Sequence, residues 1–126
     1  MKPQEIREKL DELRNLPTET EIVEFKGSVN DNFSTSDIGK YFSALSNEAN
    51  LKNAECAWLV FGIEDKTKNI VGTAYRSDQN RLNGLKRQIA DSTTGNLSFI
   101  EIYSVSSPDR VIMFSIPPAP RGIPIA

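Results

Sequence analysis

The sequence predicts an α+β fold, a mixed-sheet α/β sandwich with the element order α-β-α-β-β-α-β-β. Two observations favour this fold class. Stripes of apolar residues at helical spacing alternate along the chain with apolar runs of strand length. One of these runs, CAWLVFGI at positions 56–63, is apolar throughout, which is typical of a central strand buried on both faces. The length of 126 residues suits one domain with one core.

The first helix is predicted over Pro3–Asn15. Its apolar stripe consists of Ile6, Leu10 and Leu13, which recur at the spacing of one helix face. Pro17 follows soon afterwards, and proline cannot continue a helix, so the helix should end before it.

A short strand and a second helix come next. Residues 22–26 alternate between two faces, with Val23 and Phe25 on one side and Glu24 and Lys26 on the other. The polar loop 27–35 ends in Ser-Thr with Asp37 soon after, which is a helix N-cap signal. The second helix should therefore begin here and end near Asn47. Its stripe is formed by Ile38, Phe42, Leu45 and Ala49.

The second half of the chain supplies the remaining elements. We expect the run 56–63 to pair as a hairpin with a strand at 70–75. Leucine and isoleucine at helical spacing predict a third helix over Gln79–Asp91. Two further strands, 97–105 and 110–116, are joined across SSPD, a turn with proline and aspartate in favoured places.

The composition excludes several classes of site. There is no histidine, which excludes histidine-based catalytic triads and histidine-bound metals. Cys56 is the one cysteine, at the start of an apolar run, and we expect a buried structural thiol. Neither a phosphate-binding P-loop nor a GxGxxG motif occurs. The N-terminus is acidic and no apolar run reaches the length of a membrane span, so we expect a cytoplasmic protein without membrane contact.

Carboxylates follow two of the predicted strands. If the strands containing Glu24 and preceding Asp65 run parallel, their carboxyl ends meet at one edge of the sheet. Carboxylates gathered there could hold Mg²⁺ or Mn²⁺ for phosphodiester hydrolysis, and Lys26 could neutralise a phosphate. The alternative is ordinary: Glu24 and Lys26 lie on a solvated strand face, and Asp65 belongs to a turn.

Basic residues concentrate between positions 66 and 87, although the whole chain has a net charge of −2. This stretch contains one acidic residue, Asp78. It could bind nucleic-acid phosphates, or it could be a solvated surface. The six basic residues are Lys66, Lys68, Arg76, Arg81, Lys86 and Arg87.

Four short motifs, taken together, resemble the Schlafen AlbA-like domain, found in bacterial proteins described as transcriptional regulators or as relatives of the helicase RecG. They are Glu24-Phe25-Lys26, the helical element at 43–47, Gly62-Ile63-Glu64-Asp65 and Val71-Gly72. The resemblance is good over residues 19–72, and the later strand pair and proline-rich end are also similar. The chain departs from the family in a longer polar insertion at 48–55. The older description of the family as a divergent AAA-type ATPase finds no phosphate loop here.

The resemblance implies two different functions. In bacterial regulators the domain is expected to bind DNA. In Schlafen proteins a similar fold is an endoribonuclease that uses two glutamates, an aspartate and a divalent cation. The matching positions here would be Glu19, Glu24 and Asp65, and Glu21 competes with Glu19 for the same role.

Our first interpretation is a nucleic-acid-binding regulatory domain, with DNA or RNA as partner. The alternatives are the metal-dependent endoribonuclease, with Lys26 assisting the three carboxylates, and a protein-interaction or homodimerisation module. We also expect residues 1–126 to be a single domain at the N-terminus of a longer protein, because the chain stops abruptly after IPPAPRGIPIA.

Overall fold

The computed structural model describes residues 2–15, 22–30, 32–92, 98–106 and 109–119, and it confirms the predicted α+β class. Seven of the eight predicted elements are present among the described residues, and they follow one another in the predicted order. In chain order they are α1 (Pro3–Arg14), β1 (Val23–Lys26), α2 (Thr35–Leu51), β2 (Ala57–Phe61), α3 (Gln79–Ser92), β3 (Glu101–Val105) and β4 (Val111–Ile116).

The four strands form one mixed sheet in the order β1-β2-β4-β3. β1 and β2 are parallel, with Glu24 opposite Leu59 and Lys26 opposite Phe61, and α2 makes the crossover between them. β4 is antiparallel to both of its neighbours. Since β1 and β2 are parallel, their carboxyl ends lie at the same edge of the sheet, which is the arrangement that the predicted carboxylate site requires.

Apolar clusters cover both faces of this sheet. On one face, α2 and α3 bury the larger cluster, which includes Phe42, Leu59 and Phe114. On the other face, Leu10 and Leu13 of α1 pack in a second cluster with strand residues. All five residues of β2 are buried, because this strand is central and covered on both sides. Trp58 and Phe61 belong to the core, in agreement with the prediction that the run 56–63 is buried on both faces.

The expected strand at 70–75 is reduced to one isolated antiparallel bridge between Ile63 and Ile70. Gly62 has a φ of +102° and turns the chain out of β2. The amides of Val71 and Gly72 both donate to the carbonyl of Gly62, and the amide of Thr73 donates to the carbonyl of Arg110. These backbone groups are therefore satisfied without a regular ladder, and the prediction of a hairpin strand here was wrong.

The second helix is longer than predicted. The expected N-terminus is confirmed by a capping box, in which Ser34 Oγ accepts from the amide of Asp37 at 3.0 Å. The polar segment after Asn47 continues as helix to Leu51, because its polar side chains face solvent while Ala49 is fully buried. Cys56 is partly rather than fully buried, and it packs beside the cluster under α1.

The segment after β4 is tied to α2 by a buried serine. Ser46 Oγ donates to the carbonyl of Pro117 at 2.7 Å, and the amide of Ala119 donates to the carbonyl of Ser46 at 2.9 Å. Ser46 is fully buried, so the helical element at 43–47 has a structural role in this protein. Within the described residues, no helix has the length and apolar character needed to cross a membrane.

Candidate nucleic-acid interface

The edge formed by the carboxyl ends of β1 and β2 carries a lysine packed on a tyrosine. Phe25 points to the cluster under α1, whereas Lys26 lies on the opposite face, with its Nζ 4.7 Å from the centre of the Tyr41 ring. Tyr41 belongs to α2, which crosses over between the two strands. An ammonium at this distance from an aromatic ring is attracted by the ring's quadrupole.

The pKa of the Lys26 ammonium is raised above its ordinary value by neighbouring side chains. The largest is a hydrogen bond with the side chain of Tyr41, and burial of the ammonium partly opposes the rise. Glu24 and Asp65 also raise this pKa through their charges. Both predicted carboxylates therefore lie close enough to Lys26 to act on it, one on β1 and the other in the turn that follows β2.

Asp65 also takes part in the turn chemistry that was the ordinary alternative. Lys68 Nζ lies 3.4 Å from Asp65 Oδ1, and the Asp65 side chain is 68% exposed. Glu64 accepts from the amide of Thr67 at 2.6 Å, and this hydrogen bond holds the pKa of Glu64 below its ordinary value. The turn is thus organised by its own side chains.

The third carboxylate of the predicted set cannot be placed. Glu19 and its competitor Glu21 both lie outside the described residues. Across the part of the chain that the structure describes, no group of three acidic or thiol side chains could hold a metal ion. The Glu19, Glu24 and Asp65 site therefore stays a prediction, with two members near Lys26.

Three of the six predicted basic residues make defined contacts within the protein. Lys68 lies over the ring of Phe25 at 4.8 Å and pairs with Asp65. Lys86 Nζ pairs with Glu101 Oε1 at 3.4 Å. Arg76 donates to Thr35 Oγ1 at 3.3 Å, to Gln88 Oε1 at 2.8 Å and to the carbonyl of Arg81 at 2.8 Å. The contacts of Arg76 connect α3 to the first turn of α2.

The other three basic residues, Lys66, Arg81 and Arg87, are exposed. Arg81 and Arg87 lie on the outer side of α3 among uncharged polar residues, and α3 itself has no carboxylate before Asp91. We call this surface the α3 polar face. It consists of Asn80, Arg81, Asn83, Gly84, Arg87 and Gln88, all exposed.

A shallow groove lies beside the first turn of α2, and the sequence interpretation did not identify it. It has a volume of about 330 Å³ and is lined by Ser28, Val29, Asn30, Asn32, Phe33 and Asp37. The Phe33 ring stacks on Tyr41, with centroids 6.2 Å apart and planes 24° apart. An aromatic residue inside the polar loop 27–35 was the available signal for this site.

Arg110 was also missed. Its guanidinium donates to the carbonyls of Thr73, Tyr75 and Arg76, at 3.2, 2.6 and 2.9 Å. Arg110, which immediately precedes β4, therefore holds the loop that contains Arg76 in place. A single arginine before a strand gives no sequence signal for such a contact.

Two solved structures share this fold at low sequence identity. The DIP2311 protein from Corynebacterium diphtheriae matches with a TM-score of 0.56 and 19% identity, over 96% of this chain. The chain corresponds to 24% of that protein, about a quarter of its length. The N-terminal domain of a RecG-related protein from Nitrosomonas europaea, named for an ATP-dependent DNA helicase, matches with a TM-score of 0.54 and 17% identity, over 93% of this chain and 82% of that one.

No curated protein matches this chain. The family model described as Schlafen, AlbA_2 matches residues 19–124, which include every strand and the helices α2 and α3. The matched range contains all four motifs from which the resemblance was drawn. The chain belongs to the Schlafen AlbA_2 family.

Proposed function

We propose that this domain binds nucleic acid through the α3 polar face, as the regulatory or recognition part of a longer protein. The observation that carries the proposal is the composition of that face. Two exposed arginines stand among exposed asparagine and glutamine side chains, without a carboxylate before Asp91. Arginine binds phosphate oxygens and guanine, and amide side chains bind base edges.

The family supports this proposal, since the chain belongs to Schlafen AlbA_2. A structural relative carries the fold as the N-terminal domain of a protein named for a DNA helicase. The net charge of −2 does not oppose the proposal, because residues 66–87, which include most of α3, carry six basic residues and one acidic residue. Binding depends on the local field near the phosphates.

The test is fluorescence anisotropy with labelled DNA and RNA oligonucleotides over a series of salt concentrations. For Arg87→Gln we expect weaker binding and a log–log salt dependence shallower by about 0.7 to 0.9, the value of one lost phosphate contact. The matched control is Arg7→Gln on α1, which removes the same charge on the opposite side of the sheet. The absence of binding to any oligonucleotide at low salt would exclude the function.

A second candidate function, a metal-dependent endoribonuclease, is favoured by the parallel pairing of β1 with β2, which brings Glu24 and the turn that contains Asp65 toward one edge of the sheet. The described residues supply two carboxylates, and a third would have to come from Glu19 or Glu21. A divalent cation at such a site would activate water for attack on a phosphodiester. Lys26 would neutralise the charge that develops on the phosphate, and it would also compete with the cation for both carboxylates.

Thermal unfolding with and without millimolar Mn²⁺ tests the metal site. A bound cation should raise the melting temperature by mass action, and Glu24→Gln should remove the rise. The control is Glu55→Gln, an exposed carboxylate before β2. Cleavage of transfer RNA that requires a divalent cation and is lost in Asp65→Asn would establish the activity, whereas an unchanged melting curve in the native protein would count against it.

A further inference from the structure

The groove beside the first turn of α2 has a fixed shape, because the surrounding loops are tied together. Ser28 Oγ donates to the carbonyl of Gly72 at 3.0 Å. Thr73 Oγ1 donates to the carbonyl of Val29 at 2.6 Å. The floor of the groove is thus held by the loop that follows the bridge at Ile70, the same loop that Arg110 fixes from β4.

The aromatic wall of the groove is also held in one orientation. The ring of Phe33 meets Phe61 of β2 edge to face, with centroids 5.6 Å apart, and it stacks on Tyr41 on another side. Phe33 and Tyr41 both remain partly exposed. The Nζ of Lys26 lies 4.7 Å from the centre of the same Tyr41 ring. A row of lysine, tyrosine and phenylalanine therefore leads from the edge of the sheet into the groove.

The charges in this region favour a neutral, flat occupant. Asp37 lines the groove, and its carboxylate would repel a phosphate placed inside. The exposed side chains of Asn30 and Asn32 offer amide donors and acceptors. A cation is available on the Tyr41 ring, at Lys26, although the charges of Glu24 and Asp65 offset it in part. This combination of an aromatic wall, amide groups and an adjacent cation suits a nucleobase in the groove with its backbone phosphate outside.

We propose that the groove takes one unstacked nucleobase, which packs against Phe33 while Lys26 contacts the strand's phosphate. The proposal rests on the proposed function and narrows it to nucleic acid that is single-stranded or carries an unpaired nucleotide. The volume of about 330 Å³ lies at the lower end of the range for small-molecule sites, about 300 to 1,000 Å³, and fits one base.

The groove lies beside the α3 polar face. Thr35, in the first turn of α2, accepts a hydrogen bond from Arg76, and Arg76 in turn bonds to Gln88 of α3. A strand bound along α3 could thus enter the groove beyond Thr35. In a duplex the bases are paired and stacked, so the groove would stay empty and the α3 polar face would bind phosphates alone.

The test compares a labelled (dT)12 single strand with a duplex of equal length by anisotropy at low salt. The variant is Phe33→Leu, which keeps an apolar contact with Phe61 and removes the aromatic face. We expect the affinity for the single strand to fall about fivefold to 100-fold, the range found for one base–aromatic stack, and that for the duplex to change less than about twofold. The matched control is Tyr103→Leu, a partly buried aromatic on β3 that packs beside Trp58 under α1.

The outcomes separate the two proposals. Unchanged single-strand affinity in Phe33→Leu, or an equal loss for both ligands, would overturn the base-binding groove and leave the α3 polar face standing. A lack of binding to either ligand would overturn both. Should Phe33→Leu fail to fold, the native protein decides the question with an abasic strand of the same length, since equal affinity for that strand and (dT)12 would exclude base binding.

Discussion

Arg110 Nη1 donates a hydrogen bond to the carbonyl of Tyr75 at 2.6 Å, which connects β4 to the loop before α3. The same guanidinium also reaches the carbonyls of Thr73 and Arg76. Arg76 has a φ of +40°, a conformation that non-glycine residues adopt only when the surrounding structure enforces it. One charged side chain therefore maintains the loop that lies between the groove and the α3 polar face.

We expect Arg110→Ala to lower the free energy of unfolding by about 2 to 4 kcal/mol, because several hydrogen bonds to a charged donor are lost together. Urea unfolding followed by circular dichroism measures the change. Arg110→Lys is the control, since an ammonium keeps the charge but cannot reach several carbonyls at once, and it should recover only part of the loss. An unfolding free energy of Arg110→Ala within 0.5 kcal/mol of the native value would contradict this role.

The glycine after β2 should be far less tolerant of a side chain than the glycine in α3. Gly62 has a φ of +102°, and a Cβ there would lie 2.9 Å from the carbonyl oxygen of Arg110. Gly84 is exposed in α3, and a Cβ there would meet nothing within 4 Å. We expect Gly62→Ala to cost more than about 2 kcal/mol, whereas Gly84→Ala should stabilise by about 0.5 to 1 kcal/mol. Equal melting temperatures for the two variants would show that the turn is not constrained.

The regular elements could be predicted because their patterns are local. The helical stripe of Ile38, Phe42 and Leu45 and the apolar run at 56–63 are patterns of buried residues. Such patterns can be recognised in a single sequence, without knowledge of the elements that cover them. The sequence left the parallel pairing of β1 and β2 as a condition, and the structure meets it with α2 as the crossover. The apolar pattern at 70–75 was misleading, because the pairing with the run 56–63 stops after one bridge: Val71 and Gly72 share the carbonyl of Gly62, and the amide of Thr73 binds the carbonyl of Arg110 instead.

The candidate site was harder to predict than the regular elements, because it depends on contacts that no local pattern encodes. Glu24, Lys26 and Asp65 could be proposed from the sequence because they lie within or just after predicted strands. The groove depends on Phe33 stacking on Tyr41 and on loop 27–30 being tied to Gly72 and Thr73, and no local pattern encodes such contacts. Basic residues were visible in the sequence, but their ion pairs were not, and Lys68 and Lys86 proved to be paired within the protein.

The buried serine of α2 should contribute measurably to stability. Ser46 Oγ is the donor to the carbonyl of Pro117 at 2.7 Å, and removal of the hydroxyl leaves that carbonyl without this partner. We expect Ser46→Ala to cost about 1 to 2 kcal/mol in urea unfolding. Ser43→Ala, on the same helix and only partly buried, is the control and should change the unfolding free energy by less than about 0.5 kcal/mol. Equal effects at the two positions would argue against the tie between α2 and the segment after β4.

Glu101 should make the stability of the protein depend on pH. Its carboxylate accepts from the amide of Ile102 and pairs with Lys86, and these contacts lower its pKa from the ordinary value of 4.5. A carboxyl whose pKa is lower in the folded state stabilises the fold above its unfolded pKa, and this contribution is lost as the pH falls through the folded pKa.

Since the side chain is 49% exposed, solvent screens the pair, and we expect Glu101→Gln to cost only about 0.2 to 1 kcal/mol at pH 7. The difference between native protein and variant should shrink below pH 4.5 and vanish in stronger acid. Unfolding measured across this range is the test, with Lys86→Gln expected to remove only the part due to the ion pair, and a difference that stays constant with pH would refute the assignment.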